Sequence, residues 1–204
     1  MEQGSPEWFA ARLGKVTASR VGDVVAKTKT GWGASRKNYM AELVAERLTG
    51  VAAESHTNAA MKWGTETEPQ ARAAYEFFRD AEVAPVGFVE HPRIQMSGAS
   101  PDGLIGNDGL VEIKCPNTAT HIDTLLGQEI DAKYHAQMQW QMACTGRAWC
   151  DWISFDPRMP EDLRLFVKRV PRDDKRIIKL EDAVTEFLLE LDGIIERLTV
   201  KEAA

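Results

Sequence analysis

The chain has 204 residues, with 25 Lys and Arg against 31 Asp and Glu, 44% apolar and 27% charged. That is globular composition, too apolar for disorder and long enough to fold as one domain over 1–204 around a core that needs no staples. Every apolar run is broken well short of the ~18 residues a spanning helix requires, and the N-terminus MEQGSPEWF lacks a secretory pattern, so membrane and exported classes are not expected.

In chain order, Ser5-Pro6 is an N-cap followed by a proline suited to a first helical turn, which predicts a short helix carrying Trp8, Phe9 and Leu13 and ended by Gly14. Thr17 or Ser19 can open a second short helix. Tyr39, Leu43, Val44 and Leu48 recur with helical period, which predicts a helix over 35–48 stopped by Gly50. Residues 65–78 read as another, opening on a Thr-x-x-Glu capping box with Glu68 as its partner. Four helical segments thus precede any clear strand. In the middle, 83–90, 94–97, 102–105 and 110–114 are short, β-branched or alternating, and separated by Pro, Gly and Asn, the pattern of a small antiparallel meander. A helix over about 133–144 follows, then strands at 148–156 and 163–170. An amphipathic helix carrying Val184, Phe187, Leu188, Leu191, Ile194, Ile195 and Leu198 ends the order, and its stripe suits the core and a subunit interface equally. The class is α/β (α+β), with no internal repeat and no linker. The odd number of cysteines, Cys115, Cys144 and Cys150, predicts buried reduced thiols and a cytosolic setting.

Charge is unevenly spread. Residues 10–40 hold Arg12, Lys15, Arg20, Lys27, Lys29, Arg36 and Lys37 against the single acid Asp23, whereas 181–204 carries seven acids and two bases. A basic arm in an acidic body can meet phosphates despite the total of −6. The informative stretch runs from Ser100 to Lys114. Asp102 precedes a Gly/Asn/Asp turn at 106–109, and Glu112 and Lys114, two apart on the next strand, point to one face. A hairpin brings Asp102 alongside them. Two carboxylates and an amine there supply oxygen ligands for a hard divalent ion and a cation to orient or deprotonate an attacking water, the chemistry of phosphodiester hydrolysis. The same spacing also occurs on solvated edge strands, but Val111, Ile113 and Cys115 on the opposite face make this strand buried on one side. On spacing alone, Arg12 reads as a surface ion-pair residue, Gln141 as polar surface, and Met61 is open to a place in the core. His56, His91, His121 and His135 lack paired metal spacing.

Ser-Pro-Asp-Gly-Leu, a short turn and Leu-Val-Glu-Ile-Lys-Cys-Pro resemble the active-site hairpin of the phage lambda exonuclease family, within the PD-(D/E)xK nuclease superfamily. Glu2-Gln3-Gly4 with Trp8, Arg12-Leu13-Gly14, Thr17-Ala18-Ser19, Trp63-Gly64 with Glu68, Ala136-Gln137 with Gln139, and Asp156-Pro157-Arg158-Met159 resemble it in the same order, so the likeness spans nearly the whole chain. It implies a restriction-endonuclease-like core, a central mixed sheet flanked by helices. It implies a Mg²⁺-dependent 5′→3′ exonuclease that digests one strand of linear double-stranded DNA from 5′-phosphorylated ends to mononucleotides, leaving a 3′ overhang for phage recombination by strand annealing.

Position by position, Asp102 and Glu112 match the family's metal-holding carboxylates, the Ile113 carbonyl a further ligand and Glu68 another acid beside the site. Lys114 matches the catalytic lysine, and Gln137 a glutamine near the metals. Two Mg²⁺ per site, replaceable by Mn²⁺, are the implied cofactors. Arg12, Ser19 and Ser100 match a 5′-phosphate pocket, in which a guanidinium and two hydroxyls satisfy a terminal dianion. Met61 matches an apolar residue at the duplex end, and Lys27, Lys29, Arg36 and Lys37 would contact DNA phosphates without reading bases. The resemblance further implies a processive homotrimeric ring, a phage single-strand annealing protein as partner, no membrane, and the cytoplasm of a bacterial host. The competing readings are a restriction- or repair-type endonuclease on the same core, and a catalytically silent DNA-binding protein. The intact Asp102, Glu112 and Lys114 set argues against the last.

Overall fold

A computed structural model describes residues 1–29, 31–53 and 58–200. Ser5 accepts from the Trp8 amide and caps α1 (Pro6–Arg12), and Gly14, at φ +68°, turns the chain into β1 (Val16–Thr17). A strand therefore comes earlier than the helical periodicity suggested. A 3₁₀ turn at Ala18–Arg20 runs into α2 (Val21–Val24), and β2 (Lys27–Thr28) pairs with β3 (Gly31–Trp32) in a small antiparallel ladder. The helix α3 (Ala34–Thr49) ends on Gly50 in the left-handed conformation. Next, α4 (Ala59–Arg79) begins well before Thr65, because Asn58 caps it by accepting from the Met61 amide at 2.9 Å. The predicted capping box does not form: Thr65 lies inside the helix and donates to the Met61 carbonyl, while Glu68 pairs with Arg72 one turn on.

The short strands β4 (Val83–Ala84), β5 (Val89–Glu90), β6 (Ser97–Ala99), β7 (Gly103–Ile105) and β8 (Gly109–Lys114) do not form one meander. Helices α5 (Thr118–Gly127) and α6 (Ala132–Thr145) then cross to β9 (Trp149–Phe155), β10 (Leu165–Pro171) and α7 (Asp174–Val200). The main sheet has the order β10-β9-β8-β7-β4 and is mixed, since β8 runs parallel to β9 and the other neighbours are antiparallel. Strands β5 and β6 instead join β1 in a second sheet, β1-β6-β5, where β1 and β6 are parallel. Of the predicted strand at 94–97 only Ser97 is in a strand, because the partner of β6 comes from far back in the chain.

Helix α6 covers one face of the main sheet, with Met138 and Met142 against Leu110, Cys150 and Trp152, and α4 covers the other, with Ala71 and Tyr75 against Val111, Ile113 and Ile153. The middle strand β8 is thus buried on both faces rather than one, as expected where a helical crossover joins parallel neighbours. A third cluster joins Tyr39 and Leu43 of α3, Trp140 of α6, and Leu180, Val184, Phe187 and Leu191 of α7, which places α7 in the core. The three cysteines are free thiols. Among the described residues no helix is long and apolar enough to cross a membrane.

Candidate active site

Alternation along β8 turns Leu110, Glu112 and Lys114 toward α6, and Val111 and Ile113 toward α4. Glu112 is fully buried, where an ionised carboxylate depends on hydrogen bonds and a counter-charge. Its Oε1 accepts from the Gln137 amide at 2.7 Å and pairs with the Lys114 ammonium, and its Oε2 accepts from the Gln141 amide at 2.5 Å. The two glutamines lie one turn apart on α6, so both reach the same strand. Asp102, just before β7, accepts from the Ile113 amide at 2.6 Å, and the register Gly103↔Val111 fixes it against the end of β8.

Burial pushes the half-buried Asp102 carboxyl well above the usual carboxylate range, and the Glu112 and Glu68 charges add to this against the opposing pull of Lys114 and the Ile113 amide. For Lys114 burial works against the charge, yet the carboxylates of Glu112 and Asp102 prevail and its pKa is raised. The next residue, Cys115, has its thiol pushed up to about 12 by burial and then by Glu68 and Asp102, which leaves it unreactive.

Among the described residues no three His, Cys, Asp or Glu side chains form a ready-made metal cage. The donor set still suits a hard divalent ion: Asp102 and Glu112 carry oxygen donors within electrostatic reach of each other, and the Lys114 ammonium already occupies the place of a cation on Glu112. Glu68 sits at the rim, bonded to Arg72 at 3.0 Å.

Beside this centre, Ser100 Oγ accepts from Trp8 Nε1 at 2.9 Å and from Arg12 Nη1 at 3.2 Å, and the Arg12 guanidinium stacks 4.1 Å from the Trp8 ring. Arg12 thus turns inward to a hydroxyl, in place of the surface ion pair that spacing suggested, and burial lowers its pKa from the ordinary arginine value. Gln3 donates to the Pro101 and Val86 carbonyls at 2.7 and 2.9 Å, so the N-terminal segment braces the 100–102 turn. Because β1 and β6 run parallel, with Thr17 opposite Gly98, Ser19 and Ser100 leave their sheet at the same end. Ser19 is exposed, and its hydroxyl lies 3.3 Å from that of Thr17.

A profile of the YqaJ-like viral recombinase domain matches residues 7–148, from α1 through the hairpin and α6. The chain belongs to this family. It is 54% identical, over 98% of both chains and with a TM-score of 0.92, to the alkaline exonuclease LHK-Exo from Laribacter hongkongensis, which has also been crystallised in complex with dAMP. A phage-related exonuclease from Haemophilus somnus 129PT shares the fold at 18% identity, with a TM-score of 0.75 over 90% of this chain and 96% of that one. No curated protein matches. The resemblance to the phage lambda exonuclease family is thereby upheld.

In this YqaJ-like domain the basic arm is less free than its composition suggests. Lys15 pairs with Glu90 at 2.5 Å and Arg20 with Glu42 at 3.0 Å. Arg36, expected among the DNA contacts, is only 5% exposed and is bound by two hydrogen bonds, 2.8 and 3.0 Å, to Glu190 of α7, with Trp32 stacked 4.0 Å away. A guanidinium buried between α3 and α7 requires a carboxylate there, so the residue is structural. Lys27, Lys29 and Lys37 remain exposed, as does Met61 in the first turn of α4. His56 lies outside the described residues. His121 is fully buried between Ser154 Oγ and the Leu163 carbonyl, and His91 stacks on Trp140. The Trp63 and Asp156-Pro157-Arg158 motifs meet: Arg158 pairs with Asp156 at 2.7 Å and lies 4.4 Å over the Trp63 ring. Gln141, read from sequence as polar surface, is fully buried against Glu112. Its one-turn spacing from Gln137 was the available signal.

Proposed function

We propose that this YqaJ-like domain is a Mg²⁺-dependent 5′→3′ exonuclease that digests one strand of linear double-stranded DNA from 5′-phosphorylated ends to mononucleotides, leaving a 3′ overhang for recombination by strand annealing. The observation that carries this reading is the convergence of Asp102, Glu112 and Lys114 at the end of one strand with an Arg12–Ser100 pair beside it, in a chain 54% identical to an alkaline exonuclease. The dAMP in that relative's complex belongs to the class of product the reading requires. Two Mg²⁺ ions, held by Asp102, Glu112 and the Ile113 carbonyl with Glu68 nearby, would supply Lewis acidity for the attacking water and the leaving oxygen. Lys114 donates to the attacking water and orients it. Arg12, Ser100 and Ser19 grip the terminal phosphate and so select the strand and the position cut. Met61 stands where the duplex end opens, and Lys27, Lys29 and Lys37 contact the backbone without reading sequence. A trimeric ring around the DNA, an annealing protein on the exposed strand and a cytoplasmic setting complete the proposal.

The test uses linear duplexes with 5′-phosphate or 5′-hydroxyl ends and a closed circle, in Mg²⁺ and in Mn²⁺, with wild type and Lys114→Ala. Loss of the 5′-phosphorylated strand alone, absent in the variant and on the circle, is the expected result. A cut circle turns the assignment to an endonuclease, and no cutting in either metal turns it to a binding protein.

A further inference from the structure

We propose that Gln141 is a positioning residue for Glu112, pinning that carboxylate in one orientation for a divalent cation; the inference rests on the nuclease reading and deepens it. The two oxygens of Glu112 are held differently. Oε1 meets the half-buried Gln137 and Lys114, whereas Oε2 accepts from the fully buried Gln141 amide at 2.5 Å. Gripping both oxygens from α6 stops the carboxylate from rotating.

The cost of this arrangement shows that it is not filler. Gln141 Oε1 is buried with no hydrogen-bond partner among the described residues, a loss that an apolar side chain of similar size would avoid. The neighbouring buried positions Met138 and Met142 hold such side chains. A carbonyl left unsatisfied so that its amide nitrogen can meet a ligand-bearing carboxylate fits the pattern in which outer groups orient a metal's ligands. Gln139, two residues away and also buried, provides the contrast. It donates to the Pro171 carbonyl at 2.9 Å and accepts from the Asp173 amide at 2.8 Å, tying α6 to the start of α7 with both ends of its amide satisfied.

The experiment measures Mg²⁺ binding to the full chain by calorimetry without DNA, then the Mg²⁺ dependence of strand digestion, for wild type, Gln141→Met and Gln139→Met. Gln141→Met is expected to raise the Mg²⁺ Kd and the half-saturating Mg²⁺ by about 10–100-fold, with turnover recovering at high Mg²⁺. Gln139→Met is expected to lower Tm and leave both Mg²⁺ constants unchanged. Should Gln141→Met fail to fold, Gln141→Asn keeps a buried amide but withdraws it from Glu112, and the same shift is expected. Wild-type Mg²⁺ affinity in the Gln141 variants overturns the inference while the nuclease reading stands. A wild-type protein that neither binds Mg²⁺ nor cuts DNA overturns both.

Discussion

Replacing Lys114 by Ala removes the ammonium that meets Glu112 and, in the proposed mechanism, orients the nucleophile, and the expected loss in kcat on a 5′-phosphorylated duplex is about 10²–10⁴-fold. Arg12→Ala addresses the proposed 5′-phosphate pocket. A charge-assisted hydrogen bond is worth about 1.5–3 kcal/mol, so the preference for 5′-phosphate over 5′-hydroxyl ends should shrink by about 10–150-fold, read as a ratio of kcat/KM values. A third residue concerns stability and pH. Although burial opposes it, hydrogen bonds from Arg158 and Thr118 hold the Asp156 carboxyl down at about 2. A carboxylate with a depressed folded-state pKa stabilises above its unfolded pKa and loses that contribution as pH falls toward the folded value. The stabilisation, about 1–2 kcal/mol with the half-exposed Arg158 as partner, is therefore present at neutral pH and disappears between about pH 4 and pH 2. Asp156→Asn should lower Tm at pH 7 and flatten the acid limb of a Tm-against-pH curve. At this scale the sequence was legible where the chemistry is local. A turn and a two-residue alternation place Asp102, Glu112 and Lys114, while the partner of Arg36, 154 positions away, lies beyond any spacing rule.

Elements were readable when their ends were capped by their own neighbours. Ser5, Gly14 and Gly50 mark α1 and α3 in sequence and in space. The early start of α4 was obscured by Gly64, and α5, capped by Asn117, was missed because its ten residues carry little apolar period. The predicted meander divided because β6 pairs with β1 and β8 with β9, contacts set by topology rather than by adjacent turns. The active-site hairpin depends on two close approaches: a Cβ on Gly103 would stand 2.1 Å from Val83 Cγ1, and one on Gly109 2.2 Å from the Trp149 ring. Gly109→Ala is accordingly expected to destabilise by about 1–3 kcal/mol, measured by denaturant midpoint, and to reduce activity by moving Glu112 with the strand.

Over the whole molecule, the excess of acid is partly matched by ion pairs. Glu190 and Asp192 of α7 meet Arg36 and Arg47 of α3, and Glu181 meets Arg93, so carboxylates of the acidic tail are matched by arginines from three places in the chain, of which only Arg36 belongs to the basic arm. The arm's share of DNA affinity should accordingly come from its exposed lysines. Lys27→Ala, Lys29→Ala and Lys37→Ala should each reduce the slope of log Kd against log salt by about 0.9, whereas Arg36→Met should lower Tm and leave the slope unchanged. The strand order and the helices on either face follow from which apolar surfaces must be covered, so the fold class was accessible from periodicity, and the two-sheet division was not.

The packing of α7 carries a consequence for synthesis. Tyr39 and Leu43, made early, find their cover in Leu180, Val184, Phe187 and Leu191, made last. A ribosome adding roughly 5–20 residues per second finishes the hairpin of Asp102 and Glu112 several seconds before that cover exists. The nascent chain thus carries Asp102 and Glu112 before the packing of α3, α6 and α7 is complete, and assembly of the proposed site waits on the last helix to be made.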